Sequence, residues 1–258
     1  MRCVWCHNPE SWLPEAQVLF KASKCIHCGT CLQQGFVTDD CPTTARETCG
    51  REWTMEALMA EIEKERDVME DSGGGVTLCG GEPLMHPDYT IELLRELGRR
   101  RFHRTVDTAL YAPREVVEAV GRECDLLLID LKMMDSEKHR LYTGVPNDLI
   151  LQNIRMVAEA GHQFLMRIPL IEGINADEEN IEQTARFLSS LTPQPSSLSP
   201  LTVHLLPYHD VGKDKHRRML PASKFNPCGY AMSPPSEETL DRCRRQLEAH
   251  GLTVVIGG

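Results

Sequence analysis

The sequence has no apolar run that approaches the roughly 18 residues of a membrane-spanning helix, and no stretch reads as a secretory signal peptide. Basic charge is also scarce: 28 Lys and Arg against 38 Asp and Glu give a formal net charge of −10. A nucleic-acid backbone calls for a basic face, so this balance argues against nucleic acid as the main partner. We therefore expect a cytoplasmic protein with no membrane or nucleic-acid partner.

Cysteine, in contrast, is abundant, with 11 among 258 residues. Six of these lie between positions 3 and 41 and repeat a Cys-x2-Cys spacing, while the rest are scattered. Extracellular disulfide frameworks are usually shorter and come with a secretory signal. Clustered Cys-x2-Cys pairs in a reducing compartment indicate metal or iron–sulfur ligation instead.

Helical and extended patterns alternate after residue 53, which predicts right-handed crossovers and a parallel sheet. Helices are predicted over residues 54–71, 113–122, 147–160, 177–190 and 236–250, and from an Asp88 cap to residue 101. Strands are predicted at 76–78, 105–107, 126–129, 164–168, 202–206 and 252–256. The Pro/Ser-rich residues 192–200 are predicted to be an exposed connector.

About six strands fall short of the eight that close a barrel. We therefore predict an α/β fold, a partial (open) parallel β/α barrel, built from residues 1–20 and 53–258. Residues 21–52 have few periodic apolar positions. They are predicted to form a small cysteine-rich insert that is organised by its metal rather than by a hydrophobic core.

Four predicted strands run directly into polar or glycine-rich groups. Barrel enzymes build their sites at the carboxyl ends of strands, so these groups are expected to converge on one mouth. The four groups are Cys79-Gly80-Gly81-Glu82, Asp107-Thr108, Asp130-Leu131-Lys132 and Tyr208-His209-Asp210.

Cys3-Val4-Trp5-Cys6-His7-Asn8, followed later by Gly80-Gly81-Glu82-Pro83, resembles the radical S-adenosylmethionine (SAM) family. That family binds a [4Fe-4S] cluster through a Cys-x3-Cys-x2-Cys loop. Within it, the chain is similar to the activating enzymes of glycyl radical enzymes, and the likeness extends over nearly all of the sequence. Further matching motifs are residues 72–77, Asp107-Thr108, Asp130-Leu131-Lys132, Leu206-Pro207-Tyr208-His209 and Val255-Ile256-Gly257-Gly258.

The resemblance implies an enzyme, an oxidoreductase that cleaves SAM reductively to a 5′-deoxyadenosyl radical. This radical abstracts hydrogen from a glycine of a partner glycyl radical enzyme. A low-potential donor such as flavodoxin or ferredoxin is implied, and no acid–base catalytic residue is needed. The resemblance places cluster ligation on Cys3 and Cys6 and cofactor binding on Trp5, Cys6, His7, Gly80, Gly81, Glu82, Asp107, Asp130, Lys132 and His209.

Roles for these residues follow from their chemistry. The Gly80-Gly81 backbone can approach a ligand closely because no side chain intervenes, and the Glu82 carboxylate suits an ammonium group. Lys132 is expected to meet the cosubstrate carboxylate as a charge-assisted donor. The resemblance further implies that Asp107 and Asp130, on neighbouring strands, contact the cosubstrate or a monovalent cation.

The sequence departs from the family pattern at three places. Cys79 stands where the family has serine, and Leu110 stands where it often has glycine. The position four residues before Cys3 precedes Met1, so the first cluster cysteine is outside the sequence. Two thiolates hold a cubane poorly, so we expect the chain as written to be inactive, with a shortened chain or a late start codon as the explanation.

The second cysteine group lies in the insert. Cys25, Cys28 and Cys31 match the start of a bacterial ferredoxin motif, and Cys41-Pro42 supplies a later Cys-Pro. We predict one further [4Fe-4S] cluster held by these four cysteines. A structural zinc site is the alternative, since four thiolates also suit zinc, and Cys49 is a spare candidate ligand.

Two other functions stay open at this point. A radical SAM enzyme acting on a small molecule would have a deep, closed pocket rather than one open to a protein loop. A non-catalytic electron-transfer or zinc-binding module would hold metal in the insert but none near Cys3 and Cys6.

Overall fold

A computed structural model describes residues 1–13, 15–191, 201–219 and 229–257, so the predicted connector at 192–200 lies outside the described residues. The chain divides into two compact units. The larger comprises Met1, Trp53–His209 and Ala231–Gly258, and the smaller comprises Arg2–Glu52 and Asp210–Tyr230. This division differs from the predicted boundaries, because residues 2–20 and 210–230 group with the insert. Hydrogen bonds between residues 6–10 and residues 215–216 contribute to that grouping.

The smaller unit contains one antiparallel hairpin, in which β1 (Gln17–Phe20) pairs with β2 (Arg46–Cys49). Short 3₁₀ turns occur between the two strands, at Ala22–Lys24, Thr30–Leu32 and Thr38–Asp40. Most side chains between the strands are exposed or half-buried. This segment therefore has little apolar core, in keeping with its lack of periodic apolar positions.

Six parallel strands form the sheet of the larger unit, and they are ordered in the sheet as they are in the chain. They are β3 (Val76–Leu78), β4 (Arg104–Thr108), β5 (Leu126–Asp130), β6 (Phe164–Leu170), β7 (Thr202–Pro207) and β8 (Thr253–Ile256). β3 and β8 lie at opposite edges, so the sheet is open. The predicted α/β fold with an open six-stranded parallel sheet is confirmed.

Helices connect these strands. They are α1 (Met55–Glu63), α2 (Arg66–Ser72), α3 (Pro87–Arg99), α4 (Arg114–Glu123), α5 (Ser136–Thr143), α6 (Asp148–Glu159) and α7 (Glu178–Ser189), followed by α8 (Lys213–Arg218) of the smaller unit and α9 (Glu237–Ala249). Several begin at a capping side chain: Asp177 accepts a hydrogen bond from Asn180 N before α7, and Ser236 accepts one from Thr239 N before α9.

Three helix predictions need correction. The helix predicted over 54–71 is two helices, because Glu65 leaves helical geometry with φ −98° and ψ 8°. α3 begins at Pro87, so Asp88 lies in its first turn and is not its cap. Pro113 has an extended conformation with φ −53° and ψ 145°, and it precedes α4 rather than opening it.

The two faces of the sheet differ in burial. Along β6 the residues alternate strictly, with Met166 and Ile168 fully buried and the intervening Arg167 half-buried. β5 has the same alternation, with Leu127 and Ile129 buried and Asp130 half-buried. The buried face belongs to the main core, so the polar side chains of β5 and β6 share the other face.

Leu110 follows β4 in a left-handed conformation with φ 55°, and its side chain is fully buried. A non-glycine residue in this region is strained by about 1–2 kcal/mol. Asn153 of α6 holds the segment, since its Nδ2 donates to Leu110 O and to Ala112 O, both at 2.9 Å. The backbone at Leu110 thus has the left-handed conformation that glycine adopts most easily, while the leucine side chain packs in the core.

None of the helices in the described ranges combines the length and the apolar content needed to cross a bilayer.

Replacing Asn153 with alanine is expected to lower the free energy of unfolding by about 2 kcal/mol, because two buried carbonyl oxygens lose their donor. The better helix propensity of alanine offsets only a few tenths of a kcal/mol. Urea denaturation measures the difference, and Gln152→Ala at the exposed neighbouring position is the control. A loss of stability no larger than that of the control would show that the two hydrogen bonds of Asn153 do not stabilise the Leu110–Ala112 segment.

Candidate active site

The turn after β3 carries the Gly80-Gly81-Glu82 group. Gly80 has φ 114°, a conformation that side-chain-bearing residues rarely adopt, so glycine is required for the backbone itself. Both glycines are exposed, and an added Cβ at Gly80 would meet no atom within 4 Å. The backbone of the turn is therefore open to an incoming ligand.

Glu82 joins the ends of β3 and β4. Its Oε1 accepts hydrogen bonds from Thr108 Oγ1 at 2.6 Å and Leu84 N at 3.3 Å, and its Oε2 accepts one from Ala109 N at 2.9 Å. Burial raises the pKa of this carboxyl even though these three donors oppose the shift. The Glu82 carboxylate thus links the turn after β3 to the end of β4 through hydrogen bonds. Its contact with an ammonium group stays a prediction.

A chain of charged side chains crosses the half-buried face of β4, β5 and β6. The Arg167 guanidinium pairs with Asp107, and its Nε donates to Asp130 Oδ1 at 2.9 Å. Lys132 Nζ donates to the other oxygen of Asp130 at 3.0 Å. Two carboxylates and two cations therefore alternate at the carboxyl ends of neighbouring strands.

The two carboxyl groups of this chain have opposite pKa shifts. Burial, and then repulsion from Asp130, raises the pKa of Asp107 above its usual range. Burial would also raise the pKa of Asp130, but Lys132 and Arg167 together lower it below its usual value. Asp130 is consequently held as an anion, and Asp107 is the carboxyl that protonates more readily.

Lys132 and His209 lie at different depths. Lys132 is 7% exposed, and its charge also acts on the Glu82 carboxyl. His209 is exposed two residues beyond the end of β7. The structure thus associates Lys132 with Asp130, Asp107 and Glu82, and it places His209 after β7, which is separated from β5 by β6 in the same sheet.

Arg167 was absent from the predicted site residues. β6 pairs with β5 in a register that sets Arg167 directly beside Asp130. The signal in the sequence was a single arginine within the apolar strand Phe164–Leu170, where burial of an unpaired cation would be costly. Thr108 and Asn153 were missed as supports because their partners are distant in sequence.

In the smaller unit, the loop of Cys3 and Cys6 is a hydrogen-bonded turn. Cys6 N donates to Cys3 O at 3.0 Å, and Asn8 N donates to Cys6 Sγ at 3.4 Å. Cys3 and Trp5 are buried, whereas Cys6 and His7 are half-buried. The half-buried Cys6 sulfur therefore already accepts a hydrogen bond from a backbone amide of its own turn.

The insert cysteines have related local contacts. His27 N donates to Cys25 Sγ at 3.4 Å, and the Thr30 hydroxyl oxygen lies 3.2 Å from Cys28 Sγ. The hydrogen bond with Thr30 lowers the pKa of the Cys28 thiol. A hydrogen bond with the Arg46 backbone is the main cause of the lowered pKa of Cys41. The lowered pKa values of Cys28 and Cys41 favour the thiolate form that metals bind.

Within the described residues, no three His, Cys, Asp or Glu side chains converge closely enough to hold a metal ion. The insert thiols are thus suited to a metal in their chemistry but are not gathered into a ligand set. Cys49 belongs to β2, where burial raises the pKa of its thiol.

Comparison with known proteins places this arrangement in a family. The model of the Radical SAM superfamily matches residues 1–188. The chain belongs to the radical SAM superfamily. Membership implies a [4Fe-4S] cluster and SAM.

The relatives of this radical SAM chain include activating enzymes. It is 36% identical over 288 residues to the trans-4-hydroxy-L-proline dehydratase activating enzyme of Clostridioides difficile, covering 100% of this chain and 90% of that protein. It is 33% identical over 256 residues to the pyruvate formate-lyase 2-activating enzyme of Escherichia coli K12, covering 99% and 83%.

A solved structure is similar as well. A domain of the pyruvate-formate lyase-activating enzyme from Bacteroides vulgatus ATCC 8482 is 48% identical and superposes with a TM-score of 0.59, covering 72% of this chain and 99% of that domain. The resemblance to glycyl radical enzyme activating enzymes is therefore confirmed.

The residues of the radical SAM chain fit the two cofactors unequally. The larger unit offers an open glycine turn, a buried lysine and two carboxylates, a set that suits the carboxylate and ammonium groups of SAM. Cys3 and Cys6 are donors of the kind that a [4Fe-4S] cluster takes. The larger unit thus offers several candidate SAM contacts, whereas Cys3 and Cys6 of the smaller unit are the candidate cluster ligands.

Replacing Arg167 with methionine is expected to lower the free energy of unfolding by about 2 kcal/mol, because Asp107 then loses its cation and faces Asp130, which keeps only Lys132. Arg167→Lys should recover part of the loss through its charge. The Arg167 charge lowers the pKa of Asp107, so removing it should raise that pKa further than burial already does. The native variant then takes up a proton at a higher pH than the native wild type, and the loss should shrink as the pH falls.

Urea denaturation at several pH values provides the measurement. Arg186→Met is the matched control, because it breaks an exposed pair with Glu182 on α7 that contributes under about 0.5 kcal/mol. Equal losses in the two variants, or no dependence on pH, would show that Arg167 does not hold the carboxylates together.

Proposed function

We propose that the chain activates a glycyl radical enzyme by removing a hydrogen atom from a glycine of that partner. The alignment with activating enzymes over its whole length supports this function. The observation that carries it is the alternation of Asp107, Arg167, Asp130 and Lys132 at the strand ends. That arrangement suits the zwitterionic methionyl end of SAM.

The cluster, when bound, supplies the electron that breaks the S–C5′ bond of SAM. The chain's own residues hold the cosubstrate for that event. Lys132 is the donor proposed for its carboxylate, and Asp130 keeps the lysine oriented through the 3.0 Å bond. The Gly80-Gly81 backbone and Glu82 are the proposed neighbours of its ammonium group.

Asp107 and Asp130 are proposed to contact the cosubstrate or a monovalent cation. Support comes from their position around a single guanidinium, whose one positive charge is shared by the two carboxylates. His209, exposed beyond β7, is proposed as a further hydrogen-bonding partner. In the smaller unit, Trp5, Cys6 and His7 are the proposed cofactor contacts, with the buried Trp5 shielding the cluster from water.

A one-electron donor of low potential, flavodoxin or ferredoxin, is the proposed second partner. It follows from the chemistry, because cleavage of SAM consumes an electron that the chain does not itself generate. A cytoplasmic setting is proposed for the same chemistry, since thiols stay reduced there.

The insert is proposed to hold a second [4Fe-4S] cluster through Cys25, Cys28, Cys31 and Cys41. The lowered pKa values of Cys28 and Cys41 support thiolate ligation. In metal-organised modules the metal itself gathers its ligands on binding.

The activity is tested with the chain extended by a cysteine four positions before Cys3. After anaerobic reconstitution with iron and sulfide, addition of SAM and dithionite should yield 5′-deoxyadenosine. Lys132→Met is expected to raise the SAM concentration for half-maximal rate about ten- to hundredfold, the equivalent of one charge-assisted hydrogen bond.

Chromatography quantifies the nucleoside, and the radical of a glycyl partner is read by electron paramagnetic resonance. Lys64→Met, at the exposed end of α1, is the control. Absence of SAM cleavage under strong reductant would overturn the proposal, as would an unchanged half-maximal concentration in Lys132→Met.

The second cluster is tested by metal analysis. Replacing Cys25 and Cys28 with serine is expected to lower bound iron by about four atoms per chain. Cys124→Ser is the control, because burial raises the pKa of that thiol to about 11 and it lies outside the insert. Zinc in place of iron, or no loss of iron, would contradict the iron–sulfur assignment.

A further inference from the structure

Residues 210–219 of the smaller unit contact the Cys3–Cys6 loop and the insert hairpin. They comprise a 3₁₀ turn at Asp210–Gly212 and the six-residue helix α8. The predicted site residues include none of positions 210–219. Three of them, Gly212, Lys215 and His216, contact residues 6–10 of the same unit.

Gly212 approaches the loop backbone closely. A Cβ added to it would lie 3.0 Å from His7 Cα, 2.7 Å from His7 Cδ2 and 3.2 Å from Cys6 O. The backbone of Gly212 is ordinary helical, with φ −67° and ψ −20°. The close approach of two chain segments, and not backbone conformation, therefore demands a glycine here.

His216 bonds to the same peptide. Its Nε2 lies 2.8 Å from Cys6 O, and because a carbonyl oxygen only accepts, Nε2 is the donor. The imidazole is packed against Trp12, with ring centroids 5.3 Å apart at an interplanar angle of 58°. The histidine ring is thus held on one side while it fixes the Cys6 carbonyl on the other.

Lys215 holds the following residues. Its Nζ donates to Asn8 Oδ1 and to Glu10 Oε1, both at 2.7 Å. The Glu10 side chain is largely buried, with an exposed fraction of 18%. One ammonium group therefore ties two positions on the carboxyl side of Cys6.

The far end of α8 reaches the hairpin. Arg218 forms an ion pair with Glu47 of β2, and Met219 forms an isolated antiparallel bridge with Leu19 of β1. A single short helix thus contacts both the loop of Cys3 and Cys6 and the strands that flank the insert.

We propose that Gly212, Lys215 and His216 are positioning residues that fix the Cys6–Asn8 backbone before any cluster binds. Without these contacts, the Cys6–Asn8 backbone would lose conformational freedom at the moment of metal binding. Supports around a ligand commonly set ligand orientation in metal sites. The proposal rests on the proposed function in one respect, namely that the ordered loop serves to bind the cluster.

Hydrogen exchange of the metal-free protein, followed by mass spectrometry of a peptide covering residues 3–12, tests the proposal. The reporters are the amides of Cys6, Asn8 and Ser11, which are hydrogen-bonded within this stretch. Gly212→Ala is expected to accelerate their exchange at least about tenfold. Gly229→Ala is the matched control, because a Cβ there meets nothing within 4 Å.

Single contacts are tested separately. Lys215→Met and His216→Phe should each accelerate exchange in residues 3–12. Lys215→Arg and His216→Gln should exchange more slowly than these variants, because each keeps a side-chain hydrogen-bond donor. A β5 peptide of the larger unit should be unaffected in all variants. If Gly212→Ala also accelerates exchange in β5, that variant disturbs the whole fold. The comparison of disruptive with conservative variants at Lys215 and His216 then decides the outcome.

Unchanged exchange in residues 3–12 in Lys215→Met and His216→Phe would overturn the proposal, as would equal acceleration in the conservative variants. No cluster, SAM or partner enters this experiment. Its failure is therefore distinct from a failure of the activation assay.

Discussion

The guanidinium of Arg167 between Asp107 and Asp130 is the interaction on which the larger unit's candidate site depends. Parallel pairing of β4, β5 and β6 brings these side chains to one face, where like charges would repel. Arg167 neutralises that repulsion and leaves Asp130 ionised. Asp130 in turn accepts a hydrogen bond from Lys132. The orientation of the lysine therefore depends on the charge of Asp130 and, through it, on Arg167.

A second constraint acts on the backbone beside this chain. Glu82 clasps the β3 turn to Thr108 and Ala109, and Thr108 Oγ1 also accepts a hydrogen bond from Leu110 N at 2.9 Å. Asn153 then holds Leu110 in its left-handed conformation. Strain at one residue is thereby balanced by buried hydrogen bonds from a helix and by the burial of a leucine side chain, which contributes about 1.5–3 kcal/mol.

Much of the larger unit was predictable, since its strands are apolar runs separated by helices of regular period. The motif residues at the strand ends were found for the same reason. Arg167 and Asn153 were not found, because their importance comes from strand register and from partners more than 25 positions away. Thr108 was named only as part of a motif, and its hydrogen bond to Glu82, 26 positions away, was not expected. α8 escaped prediction because six mostly charged residues have no amphipathic period, and its partners lie near the chain's beginning.

The distance along the chain between Cys6 and His216 has a consequence for biosynthesis. These residues are separated by 210 positions, and a ribosome adds about 5–20 residues per second. The nascent loop therefore waits roughly 10–40 s before the helix that braces it exists. The contacts of Lys215 and His216 with the loop can therefore form only when more than four-fifths of the chain has been made.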